Sequence, residues 1–192
     1  MCDLKKMKDR LEELLMTIAY KEGKIVLASG KTSNFYIDCK QVSLHPEGID
    51  LLGALFFSML EGYDIAAVAG VTMGGDPLVT STSLFARGAG QFLPALIIRK
   101  SAKGHGTGRF VEGMKNVEKG SSIVLLEDVV TSGGSSITAC EKAEADGFKV
   151  AAIFCIVDRQ EGGRQNLTDL GYTLKSIFTR EELLGNRQSK TA

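Results

Sequence analysis

The stretch that most constrains the fold is Ser122-Ile123-Val124-Leu125-Leu126-Glu127-Asp128-Val129-Val130-Thr131-Ser132-Gly133-Gly134-Ser135. Its opening residues form a continuous apolar run, the pattern of a strand buried on both faces of a parallel sheet. Two carboxylates follow where that strand should end, and then a turn of hydroxylated and glycine residues. Beyond the turn, Ile137, Cys140 and Ala143-Glu144-Ala145 read as a helix that stops at Gly147. A strand–turn–helix unit of this kind aims unpaired backbone N–H groups and the positive end of a helix dipole at one point, which suits a phosphate. Glu127 and Asp128 beside that point would repel a bare anion but accept hydrogen bonds from vicinal hydroxyls. A ribose carrying a 5-phosphate satisfies both halves; the plainer alternative is a strand end with two solvated acids. A P-loop is excluded, because no Gly-Lys-Ser/Thr follows the glycines.

The same strand pattern recurs at intervals of roughly 30 residues. Ile65–Ala69, Leu93–Ile98, 122–127, Val150–Val157 and Tyr172–Phe178 read as strands, with helices expected over 46–61, 76–87, 136–146 and 161–170. Alternation of this kind gives an α/β fold with a doubly wound, mainly parallel five-stranded sheet, helices on both faces, and ligands at the carboxyl ends of the strands. Ahead of it, Leu4, Met7, Leu11, Leu14, Leu15 and Ile18 predict an amphipathic helix over 3–22 that ends near Gly23. Lys24–Asp38 reads as a hairpin around Ser29-Gly30-Lys31-Thr32-Ser33, and Thr179-Arg180-Glu181-Glu182 as a capping box opening a last helix.

One connection departs from the pattern. Residues 101–120 show no helical periodicity between two convincing strands; a structureless loop of that length argues either for a wrong assignment or for function, and function is the favoured reading. Arg99, Lys100, Lys103, Arg109 and Lys115, with His105, concentrate positive charge there, and Gly104, Gly106, Gly108 and Gly113 interrupt it. The segment, about 99–120, reads as a long flexible cationic lid that meets negative charge on a leaving group.

Charge bounds the partners. Lys+Arg and Asp+Glu balance at 23 each over 192 residues, which argues against nucleic acid or a membrane surface as partner. The length suits a single domain over 1–192. No apolar run reaches the roughly 18 residues of a membrane helix, and the charged N-terminus is unlike a signal peptide. Cys2, Cys39, Cys140 and Cys155 are scattered without a CxxC pair, so a reducing cytoplasm is expected and metal binding by thiols is not.

Leu125–Ser135 resembles the signature of type I phosphoribosyltransferases, which bind 5-phosphoribosyl 1-diphosphate (PRPP). Arg99-Lys100-Ser101-Ala102-Lys103-Gly104-His105-Gly106-Thr107-Gly108, with Glu112-Gly113 after it, resembles the catalytic loop of orotate phosphoribosyltransferases. Ser29–Asp38 resembles the same family's hood, here about 20–45, which covers the base. The resemblance implies that Glu127 and Asp128 hold the ribose hydroxyls and that Thr131, Ser132, Gly133, Gly134 and Ser135 hold the 5-phosphate, with Val129 and Val130 also at the PRPP site. It assigns Arg99, Lys100, Lys103 and His105 to the diphosphate, with Lys103, His105 and Asp128 as catalytic residues. Thr131, Arg159 and Tyr36 would face orotate. It further implies Mg²⁺ carried with PRPP, no dedicated metal ligands, and a homodimer whose loop enters the neighbouring site.

Two positions depart from the family pattern. Ala28 stands where many members have a lysine, and Met73-Gly74 where many have Tyr-Lys in the diphosphate-binding loop. These changes suggest a sub-branch with a glycine-rich diphosphate loop; an inactive relative is the alternative. A purine or uracil acceptor, and a PRPP-sensing regulator without turnover, are the rival functions.

Overall fold

The computed structural model describes residues 3–26, 32–101 and 109–191. Helix α1 (Leu4–Leu14) starts at Asp3, whose carboxylate accepts from the Lys6 N–H at 3.3 Å. It runs on through one wider π turn (Leu15–Ala19) and stops there. The expected continuation to residue 22 does not occur, because Tyr20 leaves the helix to open strand β1 (Tyr20–Val26). That strand pairs antiparallel with β2 (Thr32–Ile37) in the register Tyr20↔Ile37. Gly23, which the sequence suggests as a helix stop, sits instead at the irregularity of this ribbon between Glu22 and Ile25. Cross-strand pairing outweighs helical periodicity here.

A short helix α2 (Lys40–Ser43) joins the hairpin to α3 (Pro46–Met59). Pro46 occupies the first turn of α3, and the His45 ring nitrogen Nδ1 accepts from the Gly48 N–H at 3.4 Å. The alternating part follows: β3 (Ala67–Val71), α4 (Gly75–Gly88), β4 (Ala95–Ile98), β5 (Val111–Glu112), β6 (Ser122–Val130), α5 (Gly134–Ala145), β7 (Lys149–Asp158), α6 (Gly163–Asp169), β8 (Leu174–Thr179) and α7 (Arg180–Thr191). The expected five parallel strands are all present, in the order β4-β3-β6-β7-β8. A sixth, β5, adds an antiparallel pair at the β4 edge, Ile97↔Glu112 and Ile98↔Val111. It lies inside the segment read as structureless, which also contains a 3₁₀ turn at Met114–Asn116.

The sheet is covered on both faces. On one face Val124, Leu126, Phe154 and Ile156 share a core with Leu11 of α1, Leu52 and Phe56 of α3, and Leu78 of α4. Ile123, Leu125, Ile153 and Cys155 face the other way, toward Ala139, Cys140 and Ala143 of α5 and Leu167 of α6. Cys39, Cys140 and Cys155 are buried free thiols, and burial pushes Cys140 up to about 12. The final capping box forms as expected: the Glu182 carboxylate accepts from the Thr179 N–H at 2.7 Å, and the Thr179 hydroxyl accepts from the Glu182 N–H at 3.2 Å.

Helix α5 also holds both stems of the segment between β4 and β5. The Lys142 ammonium donates to the carbonyls of Arg99 (3.2 Å) and Lys100 (2.7 Å) and lies 5.0 Å above the Phe110 ring. One turn later, a single Asp146 oxygen accepts from the Phe110 and Val111 N–H groups at 2.8 and 2.9 Å. Asp146→Ala strips both donors of a charged acceptor. It is expected to cost about 2 kcal/mol of stability, read as a lower urea midpoint; an unchanged midpoint would show that water replaces the carboxylate without loss.

Candidate active site

The strand order reverses between β3 and β6, so the loops leaving these two strands diverge and open a crevice at their carboxyl ends. Strand β6 extends to Val130, three residues beyond the end expected from sequence, so Glu127 and Asp128 lie within it. Successive strand side chains point to opposite faces. Glu127 therefore follows Ile123 and Leu125 toward α5, and Asp128 follows Val124 and Leu126 toward the side of α4 and the hairpin. Glu127 is 6% exposed, and its Oε1 accepts from the Ser136 hydroxyl at 3.3 Å. Burial first, and then the neighbouring Asp128 charge, push its carboxyl up to about 8 from an ordinary 4.5, against the pull of Ser136.

Asp128 is met from three directions. Its Oδ1 accepts from the Val129 N–H at 2.9 Å, and its Oδ2 faces the Lys40 ammonium at 3.4 Å. The third neighbour is the loop after β3, where a Cβ on Gly74 would come within 3.0 Å of the carboxylate. This loop folds tightly against its own strand: a Cβ on Gly75 would lie 2.6 Å from the Gly70 Cα. The Thr72–Met73 peptide is cis, and the Thr72 hydroxyl donates to Asp76 Oδ2 at 2.8 Å. Lys40 also lies 3.6 Å from Asp38 Oδ1. Partial burial disfavours its charged form, but Asp128 and Asp38 outweigh that and raise its pKa. Sequence reasoning missed Lys40. The signal was the spacing of two in Tyr36, Asp38 and Lys40, which carries the hairpin's polar side into the start of α2.

The turn after β6 is built for close approach. Gly133 adopts φ +81° and caps α5, and the Thr131 carbonyl accepts from the Gly163 N–H at 3.0 Å. A Cβ on Gly163 would stand 2.6 Å from the Thr131 oxygen, so the start of α6 seals the back of the turn. Asn166 adds a bond from its Nδ2 to the Ser132 carbonyl at 2.9 Å. With its carbonyls tied backward, the turn leaves the N–H groups that open α5 directed at the crevice. Ser132, Gly134 and Ser135 are exposed there, and Thr131 and Val129 are half-buried. Val130 is buried, and its carbonyl accepts from the Arg159 N–H at 2.9 Å.

Arg159 follows the carboxyl end of β7, almost wholly buried, with its guanidinium 2.9 Å from Glu161. Tyr36 is half-buried on β2, its backbone opposite Lys21. Arg99 pairs with Glu112 at 3.2 Å across the β4–β5 stem. A cavity of about 350 Å³ runs between that stem and the start of α5, lined by Val71, Arg99, Lys100, Gly134, Ser135 and Lys142. The stem and the phosphate-type turn thus share one hollow. Lys103, His105 and the hood positions 27–31 lie outside the described residues. Among the described residues, no group of three or more His, Cys, Asp or Glu is placed to hold a metal ion.

This mainly parallel sheet, with a strand–turn–helix unit at its switch point, has the fold of the type I phosphoribosyltransferases. A phosphoribosyltransferase structure from Corynebacterium diphtheriae matches this chain with a TM-score of 0.80 at 30% identity, covering 93% of this chain and 98% of that one. No family model matches the chain. An orotate phosphoribosyltransferase from Nostoc is 44% identical over 177 residues, 92% of this chain and 85% of that protein. The Mycobacterium tuberculosis orotate phosphoribosyltransferase in complex with PRPP matches with a TM-score of 0.75 at 25% identity, covering 92% and 98% of the two chains. The chain belongs to the orotate phosphoribosyltransferase family.

Glu127 supplies a pH test. Its folded value of about 8 lies above the ordinary 4.5, so its protonated form favours the fold. That contribution is fully present below about 4.5 and is lost as pH rises through about 8. Between pH 5 and 9 the wild type should lose on the order of a few kcal/mol relative to Glu127→Gln, measured by denaturant titration. A gap between the two proteins that stays constant with pH would place the proton elsewhere.

Proposed function

We propose that this protein transfers the phosphoribosyl group from PRPP to N1 of orotate, giving orotidine 5′-monophosphate and diphosphate in pyrimidine biosynthesis. The observation that carries this reading is Asp128, held by Lys40 and the Val129 N–H beside a helix-capping turn that presents backbone donors. In the reaction the bond from ribose C1 to the diphosphate oxygen breaks, the electron pair leaves with diphosphate, and the orotate N1 lone pair forms the new bond. The sugar passes through an oxocarbenium-like state, so the site must steady ribose, neutralise the leaving group and exclude water.

The residues divide these tasks. Asp128 accepts from the ribose hydroxyls, and the turn from Thr131 to Ser135 receives the 5-phosphate. Glu127, turned into the fold and protonated near neutral pH, adds no second full negative charge beside an anionic substrate. Arg99 and Lys100, at the rim of the hollow, meet the diphosphate, and the family resemblance gives Lys103 and His105 the same task. Thr131, Tyr36 and the guanidinium of Arg159 face orotate, whose carboxylate suits a planar fork of donors. Mg²⁺ rides on the phosphates of PRPP and keeps most of its waters, so it needs no dedicated protein ligands.

The working unit is a homodimer in which each loop serves the partner's site. An exposed apolar patch supports a second copy as neighbour: Leu84 and Phe92 are 71% and 83% exposed. They border a cleft of about 510 Å³ with Leu93 and Pro94. No helix among the described residues is long and apolar enough to cross a membrane, and the protein acts in the cytoplasm.

The direct test is incubation with PRPP, Mg²⁺ and a panel of bases, reading out diphosphate; release with a purine or uracil but not with orotate would overturn the acceptor. Lys103→Ala should lower kcat by two to three orders of magnitude, because a positioned donor to transition-state charge contributes about 3–4 kcal/mol. PRPP affinity should change much less, and full turnover in that variant would end the loop's catalytic role. Mixing Lys103→Ala chains with chains disabled at Thr131 should restore about one intact site per mixed dimer. Activity no higher than that of the separate variants would show that the loop serves its own subunit.

A further inference from the structure

We infer that Lys40, at the foot of the hood, is a PRPP-binding residue that supplies the diphosphate-side positive charge that residues 73 and 74 lack. The inference rests on the function proposed above and assigns one further residue to the same site.

Three observations converge. First, Lys40 Nζ lies 3.4 Å from Asp128 Oδ2 and 3.6 Å from Asp38 Oδ1, so a cation already stands at the acid that receives the sugar. Second, Gly74 sets its backbone tight against Asp128: a Cβ there would fall 3.0 Å from the same Oδ2, so the carboxylate would have to give way to a side chain. The loop after β3 therefore brings only backbone to this acid. Third, Met73, the other residue at that bend, is 70% exposed and apolar. A lysine reaching in from the hood and a glycine retreating from the loop are complementary, and both meet one oxygen.

The electrostatics favour an exchange on substrate binding. Asp128, Glu127 and Asp38 are the acids around this point; Glu127 is pushed up to about 8, so Asp38 and Asp128 are what Lys40 balances. When the sugar hydroxyls donate to Asp128, that carboxylate no longer needs the ammonium as its donor. Lys40, with 43% of its side chain exposed, can then swing its compact charge toward the diphosphate, whose loop the family resemblance sets at 70–77. Asp38 keeps the foot of the side chain in register: its Oδ1 accepts from the Lys40 N–H at 3.3 Å and its Oδ2 from the Gln41 amide at 3.1 Å.

The experiment is calorimetric binding of Mg²⁺–PRPP without acceptor, beside steady-state kinetics, for wild type, Lys40→Met and Lys40→Arg. Losing a charge-assisted contact should weaken PRPP binding and raise its KM about tenfold to a hundredfold in Lys40→Met. Lys40→Arg should stay within about threefold of wild type, and the melting temperature of Lys40→Met should hold within a few degrees. In an Asp128→Asn background Lys40→Met should cost markedly less, because the two residues act on one ligand. Wild-type-like PRPP binding by Lys40→Met would overturn the assignment. So would a loss of binding that only tracks a fall in melting temperature and is not rescued by arginine. If wild type binds PRPP but turns over no orotate, the proposed acceptor fails while the role of Lys40 is still decided by the binding arm. A wild type that binds no PRPP removes both.

Discussion

Asp128 is the point where distant parts of the chain meet, and its surroundings follow from strand geometry. A side chain on a central strand can reach a crevice only if the alternation of the strand points it there, and only if a neighbouring loop withdraws to make room. Strand β6 satisfies the first condition and Gly74 the second. Lys40 then arrives from a segment 88 residues earlier and balances the charge. Each partner is ordinary alone. Together they hold an acid at the mouth of the sheet, paired with a lysine and a backbone N–H.

The same alternation gives two adjacent carboxylates different chemistry. Glu127 goes into the α5 side, where burial keeps its proton to about pH 8, and Asp128 goes to the crevice. Two acids adjacent in the sequence thus come to lie in different surroundings, one buried beside α5 and one at the crevice. Helix α5 has a comparable division along its length. Its first turn opens at the phosphate-type bend, and Lys142 and Asp146 near its other end hold the stems of the cationic segment. One helix therefore fixes the spacing between the glycine turn after β6 and the two stems of the segment. That is a mechanical reason for the segment's placement, independent of what its middle residues do.

Legibility in the sequence tracks how local the determining force is. The five parallel strands are readable because each is an apolar run of the right length between turn signals, and the capping box at Thr179–Glu182 because its bonds span three residues. The end of α1 is misplaced because the pairing of Tyr20 with Ile37 is invisible to helical periodicity. Strand β5 escapes notice because it is two residues long and exists only against β4. Lys40 is passed over because a lysine after a hairpin looks like any solvated charge until Asp128 is folded against it.

By itself the sequence determined the α/β class, the acid-tipped strand with its glycine turn, and the concentration of positive charge between β4 and β6. These depend on residue type and short-range spacing, which the chain carries in any conformation. Only the tertiary structure decided which of the two acids faces the crevice, which lysine accompanies it, and which helix anchors the loop stems. Those outcomes depend on side chains far apart in sequence being brought within hydrogen-bonding distance, and on burial, which shifts a carboxyl by displacing the water around it.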